Sequence, residues 1–277
     1  LPTGIVLHGL RNQCEDLDER IRRKNMIADC HMHTSFSTDS KACPEEMIER
    51  AIALGMKEIC ITDHYDMDYP RNPRTGEEEF QLDTPAYQAK IRELQEHLKG
   101  QMEEYVRRWP FDFVIGSMHL LNGKDPYDCE SFQDMEDREM YRAYFRATSE
   151  NLRAFHEFQT LGHLDYVVRY GKSKGAEYCC GEYRDEIDEI LKLLVEYQIA
   201  LEVNTGGLKY GLGFPNPHPE IIRRYRELGG EMVTVGSDAH EPRHIGFDFE
   251  KAAELLKEAG FQYYTQFTER KPVFVKL

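Results

Sequence analysis

Histidines and carboxylates recur in this chain just after short apolar runs. They fall in His31-Met32-His33, Asp63-His64, Ser117-Met118-His119, Gly162-His163-Leu164-Asp165, Glu202-Val203-Asn204 and Ser237-Asp238-Ala239-His240. Imidazole and carboxylate hold zinc, iron and manganese alike, so the pattern reads as a multinuclear metal centre of unspecified ion. On a strand, residues i and i+2 face the same side, so His31 and His33 can reach one ion. Asp238 and His240 share a strand end in the same way, and His64, His119 and His163 are the further imidazole ligands. A lone buried histidine is usually a satisfied core residue; five such histidine segments with an aspartate are hard to explain that way.

Other residues near these segments stay open. Asp39 is either a ligand or a loop carboxylate that caps the next helix. Asp63 either orients His64 or faces the wall of the sheet, and Asp165 is placed to orient His163. Arg169 either forks an anionic group or forms a salt bridge at the rim. His218 and His244 sit in turns near the site, with an ordinary loop role favoured for both. His8, His97 and His156 read as surface or helix residues.

The elements that must position these side chains alternate between strand and helix. Strands are predicted at Met26–Cys30, Lys57–Thr62, Phe111–Ser117, Gln159–Gly162, Ile199–Asn204, Glu231–Gly236 and Gln262–Phe267. Helices are predicted from Pro44 to Gly55, over Thr84–Arg108 and Glu136–Phe158, and at about 182–197, 217–229 and 248–260. The Pro-, Asp- and Arg-rich loop over 66–80 suits a lid. Residues 1–25 carry no clear pattern and read as an appendage to one unit over 26–277. Alternation of this kind argues for an α/β fold with a parallel sheet, and ligands at the carboxyl ends of its strands suit an α/β barrel.

Composition narrows the function. The chain has 277 residues and a net charge of −15, which argues against a nucleic-acid partner. No apolar run is long enough to span a membrane, and the first ten residues lack a secretory pattern. The seven cysteines are scattered and none forms a C-x-x-C pair, so reduced thiols in the cytoplasm are expected.

Together, Asp29–Ser40, Ile61–Tyr65, Tyr105–Asp128, Leu161–Lys172, Leu201–Gly213 and Val235–Gly246 resemble the polymerase-and-histidinol-phosphatase (PHP) superfamily, and its histidinol-phosphatase branch most. The resemblance implies a distorted seven-stranded (β/α) TIM-like barrel carrying two or three divalent ions. It implies that His31, His33 and Asp238 hold one ion, His119 and His163 a second, and His64, His240 and Asp39 a third. It places Arg169, Lys209 and Ser117 at the substrate, with Asp238 and His240 as the catalytic pair. One departure stands out. The family carries a strand with a bridging glutamate before the Gly-Ser-x-His strand, whereas Tyr87–Arg108 here reads straight through as polar helix. The missing third strand would fall near Glu96–His97, and Glu93, Glu96, Glu103 and Glu104 are poor substitutes for its glutamate.

The function this implies is hydrolysis of a small phosphorylated metabolite, L-histidinol phosphate first, in histidine biosynthesis. Two alternatives accompany it: the same chemistry on another phosphorylated metabolite or nucleotide, and a non-catalytic protein that binds metal or a partner. Oligomeric state is not readable from the sequence.

Overall fold

The computed structural model describes residues 28–277, apart from 57, 65–70, 72–75, 77–78, 81–82, 84–85, 88–89, 91–111, 122–123, 128–131 and 133. The expected appendage, most of the 66–80 loop, nearly all of the Thr84–Arg108 helix and the Glu96–His97 junction lie outside the described residues.

Six short strands run parallel in two sheets. Strand β1 (Ala28–Met32) pairs with β2 (Glu58–Ile61). Strands β3 (Ile115–Gly116), β4 (Thr160–Leu161), β5 (Ala200–Asn204) and β6 (Val233–Gly236) form the second sheet in that order. A parallel bridge between Met32 and Ala239 joins the two, and the His33 N–H donates to the Ala239 carbonyl at 2.8 Å. The row is therefore β2-β1-β6-β5-β4-β3. It follows the chain cyclically, and residues 91–111, between β2 and β3 in sequence, lie outside the described residues. Among the described residues no strand pairs with either outer edge. The Tyr87 hydroxyl donates to the Ile61 carbonyl there, at 3.2 Å.

Helices connect the strands. They are α1 (Pro44–Ala53), α2 (Asp137–Ala154), α3 (Arg184–Tyr197), α4 (Pro219–Glu227) and α5 (Phe249–Glu258). Proline opens α1 and α4, where its missing N–H costs no helical hydrogen bond. Helix α2 ends four residues before the expected Phe158, because Phe155 turns extended at φ −150°.

The final predicted strand needs correction. Strand β7 (Tyr263–Thr268) packs beside β6 but hydrogen-bonds antiparallel to β8 (Lys271–Lys276), which the sequence reading lacked. The two-residue turn, Glu269-Arg270, has both residues at positive φ, 49° and 61°. Such turns are recognised by Gly or Asn, and this one has neither.

Alternation along the strands separates two faces. On β5, Leu201 and Val203 join the apolar cluster that includes Ile190, Leu194 and Ile222, whereas Glu202 and Asn204 point the other way, into a buried polar network. Burying each Val or Leu contributes about 1.5–3 kcal/mol, so the helix-facing side stabilises the sheet and the other face is left for chemistry.

Candidate metal centre

The carboxyl ends of the strands surround a cavity of about 50 Å³, lined by His33, Asp39, His64, His119, His163, Asp238 and His240 with Phe80, Asp125, Tyr166 and Arg169. Two donor sets converge there, His31/His33/Asp238 and His33/Asp39/His64/His240, each with its donor atoms within 4.8 Å of one another. In the first, His31 Nε2 is 3.0 Å from His33 Nε2, and Asp238 Oδ1 is 3.3 Å from His33 Nε2. In the second, Asp39 Oδ2 is 3.0 Å from His240 Nε2 and 3.5 Å from His64 Nε2. His33 belongs to both sets, and its ring stacks between those of His64 and His240 at 4.5 and 4.4 Å. His119 and His163 stand side by side, with ring centroids 5.3 Å apart.

Electrostatics fit this donor set to cations. Burial lowers the pKa of His33, and neighbouring His240 and His64 lower it further, so its ring stays neutral and able to ligate. His163 is likewise lowered by burial and by His119, and its buried Nδ1 has no hydrogen-bond partner among the described residues. Burial would raise the carboxyl of Asp238, but His31 and His33 hold it well below the usual range. Burial opposes ionisation of Asp39 too, and hydrogen bonds from His240 and His64 outweigh it. Neutral imidazoles and ionised carboxylates gathered out of water are what divalent ions require. Asp238 and His163 also hold left-handed backbone, at φ 51° and 22°. Strain of this kind persists where the surroundings over-determine it.

A PHP domain model matches residues 29–206. The chain belongs to the PHP family. It is 35% identical over 265 residues to a probable histidinol-phosphatase of Clostridium acetobutylicum, covering 90% of this chain and 96% of the relative. It is 36% identical over 251 residues to another probable histidinol-phosphatase, from Thermotoga maritima, covering 91% and 100%. It superposes with TM-score 0.75 and 31% identity on the crystal structure of histidinol phosphate phosphatase from Lactococcus lactis, complexed with zinc, L-histidinol and phosphate. That match covers 89% of this chain and 98% of the other.

Within this PHP centre, several carboxylates do different work from that expected. Asp63 does not orient His64. It accepts from the Thr34 N–H (2.6 Å), the Thr34 hydroxyl (2.7 Å) and the Ser37 hydroxyl (2.8 Å), pinning the loop after His33. Asp165 does not orient His163. It accepts from Asn216 Nδ2 at 2.6 Å and the His218 N–H at 2.8 Å, tying the turn before α4 to the site. Glu202, to which the sequence assigned no role of its own, is placed to orient His31. One of its oxygens lies 2.6 Å from His31 Nδ1, and the other accepts the His163 N–H at 2.7 Å. With Nδ1 engaged, His31 Nε2 is turned toward His33 and Asp238. Asp29 accepts from the His31, Ser237 and Gly246 backbone N–H groups, locking β1 to the loop after β6.

The substrate-side residues divide. Arg169 lies over the rings of Tyr166, Tyr170 and Tyr210 at 4.6, 4.8 and 4.5 Å. No carboxylate oxygen among the described residues is at ion-pair distance from it. Lys209 donates to the Asp238 carbonyl at 2.6 Å and so braces a ligand segment. Ser117 is not on the cavity lining; its hydroxyl fills the space where a side chain at 162 would begin. His218 caps α4, His244 sits in a short turn off the cavity, and His156 stacks on Tyr197 at 4.1 Å. His8 and His97 lie outside the described residues. Phe80, Asp125 and Tyr166 line the cavity without a sequence signal that marked them.

Proposed function

We propose that this chain is a metal-dependent phosphomonoesterase that hydrolyses L-histidinol phosphate to L-histidinol and phosphate. The observation that carries it is the pair of donor sets sharing His33, with an aromatic-braced Arg169 on the same cavity. Relatives named histidinol-phosphatases, at 35–36% identity over about nine-tenths of the chain, support the substrate.

His31, His33 and Asp238 would hold one ion, and His33, Asp39, His64 and His240 another. His119 and His163 would supply further ligands, and zinc, manganese and iron all suit the set. Bound ions neutralise phosphoryl oxygens and lower the pKa of water toward neutrality. The chain does the rest by positioning. Arg169 stays protonated even though burial opposes it, because the phenols of Tyr170 and Tyr166 and the charge of Asp238 favour its cation. Its planar fork meets a phosphate in two parallel hydrogen bonds. The leaving alkoxide must collect a proton. Cavity water is the donor that remains, because His240 Nε2, beside Asp39, would hold one ion and Asp238, next to the same ring, would hold the other. Glu202 keeps His31 aligned throughout.

His31 gives the activity an acid limb. Burial pulls its pKa down, but Glu202 and Asp238 outweigh this and push it up to about 9. An ion must displace that proton, so metal affinity falls as pH falls.

The finer fold reading is a distorted seven-stranded (β/α) PHP barrel over 26–277, following residues 1–25, in a chain that acts in the cytoplasm without a nucleic-acid partner. No described helix is long and apolar enough to cross a membrane. The test is histidinol-phosphate hydrolysis before and after chelation. Chelator should abolish turnover, and zinc, manganese or iron(II) should restore it. Full turnover after complete metal removal would refute the proposal; faster hydrolysis of another phosphomonoester would reassign the substrate.

A further inference from the structure

Away from the cavity, a third group of ligand-type side chains converges among the described residues. Cys180 opens the short turn into α3, His218 is the N-cap of α4, and Glu220 stands in the first turn of α4. The Cys180 thiol donates to Glu220 Oε2 at 3.2 Å, and its sulfur is 3.7 Å from His218 Nδ1. One donor atom from each residue lies within 4.8 Å of the others. Around a tetrahedral zinc ion, with sulfur at about 2.3 Å and nitrogen or oxygen at about 2.1 Å, neighbouring donors stand about 3.6 Å apart. The observed spacings bracket that edge.

Two of the three donors are fixed without an ion. Cys180 is buried, and His218 is held by its N–H to Asp165 and by an edge contact with Phe214 at 4.7 Å. An ordinary helix cap accounts for the cluster less well. The cap bond from the Glu220 N–H to His218 Nδ1 is long, at 3.3 Å, and a cap needs no thiol. Burial and Glu220 push the Cys180 thiol up to about 12, so it is a proton donor until something replaces the proton.

We propose that Cys180, His218 and Glu220 form a separate metal site for zinc-class ions, clamping the turn before α3 to the start of α4. Thiolate, imidazole and carboxylate select such ions over calcium or magnesium. Binding releases the Cys180 proton to solvent and forms the sulfur–metal bond, and water completes the coordination. The role is structural. The clamp reaches the site through Asp165, which binds both Asn216 and His218 and lies two residues from His163.

Cobalt(II) reads this site alone, because the cavity ligands are all nitrogen and oxygen. The full chain saturated with cobalt should show a sulfur-to-cobalt charge-transfer band and hold one more ion than Cys180→Ser. The band should vanish in Cys180→Ser and weaken in His218→Ala, while the other ions stay bound. Serine keeps the hydrogen bond to Glu220, so Cys180→Ser should fold, as circular dichroism can check. Absence of the band at saturating cobalt, its persistence in Cys180→Ser, or equal ion counts in the two folded proteins would overturn the proposal. None of these outcomes depends on the hydrolytic reading of the main cavity.

Discussion

The two ends of the parallel strands treat polar atoms in opposite ways. At the carboxyl ends, Asp63, Asp165 and Glu202 are buried carboxylates, and each accepts two or more hydrogen bonds. Toward the opposite end, Glu58 Oε1 at the start of β2 and Arg270 Nη2 in the final turn are buried with no partner among the described residues. Thr265 Oγ1 and Gln266 Nε2 on β7 share that condition. A buried polar atom without a partner costs about 1–3 kcal/mol. Buried carboxylates are therefore satisfied where the candidate ligands must be aimed, and an orphan there, His163 Nδ1, is on a candidate ligand, while the far end tolerates loss.

The sharpest way to break this contrast is at the ligands. Asp238→Ala should reduce turnover by at least about 10³-fold, because it removes a carboxylate that would hold the ion neutralising the reacting phosphate. Circular dichroism should show an intact fold, since the network beneath rests on Asp29 and Glu202. Near-normal steady-state rates at saturating metal would count against the site.

A smaller effect is expected one layer down. Glu202→Gln keeps the shape but weakens its hold on His31, and should cost about 10–100-fold in metal affinity. The loss should show as a higher ion concentration for half-reactivation of the apo-enzyme, with turnover largely recovered at saturation. An unchanged reactivation curve would mean that Glu202 is only wall.

The smallest effect belongs to the far end. Burial pushes the Glu58 carboxyl up to about 7, and the charge of Asp112 adds to the shift. The folded chain then holds that proton where the unfolded chain has lost it. The contribution is full below the ordinary carboxyl pKa and is lost as pH rises through about 7. Glu58→Gln should therefore be more stable than the parent by about 2 kcal/mol at pH 8, with no difference near pH 4. Urea melts at the two pH values would check this, and parallel stability curves would put the carboxyl in water instead.

Much of the site was legible because its ligands follow apolar strands. His31, His33, His64, His119, His163, Asp238 and His240 meet as the spacing implied, and Asp39 resolves as a neighbour of His64 and His240. The errors concern carboxylates beside ligands in sequence. Asp63 and His64 are consecutive, and a pleated backbone sends consecutive side chains to opposite faces. Asp165 is two residues from His163, but β4 ends at Leu161 and the alternation no longer holds there. Glu202 was illegible for another reason: its partner His31 lies 171 residues away, and only the fold brings them together. The parallel direction of the strands followed from alternation. The β7–β8 hairpin did not, for want of a glycine or asparagine in its turn.

Glu202 also has a consequence for how the centre fills. One carboxylate braces the His31 ring with one oxygen and the His163 backbone with the other. An ion that fixes His31 therefore stiffens the segment bearing a neighbouring ligand, and lowers the ordering cost left for the next ion. Loading should be cooperative, with apo-enzyme reactivation rising more steeply than a hyperbola and flattening to one in Glu202→Gln. The centre would then pass from empty to full over a narrow range of free metal, so that few molecules carry a single ion.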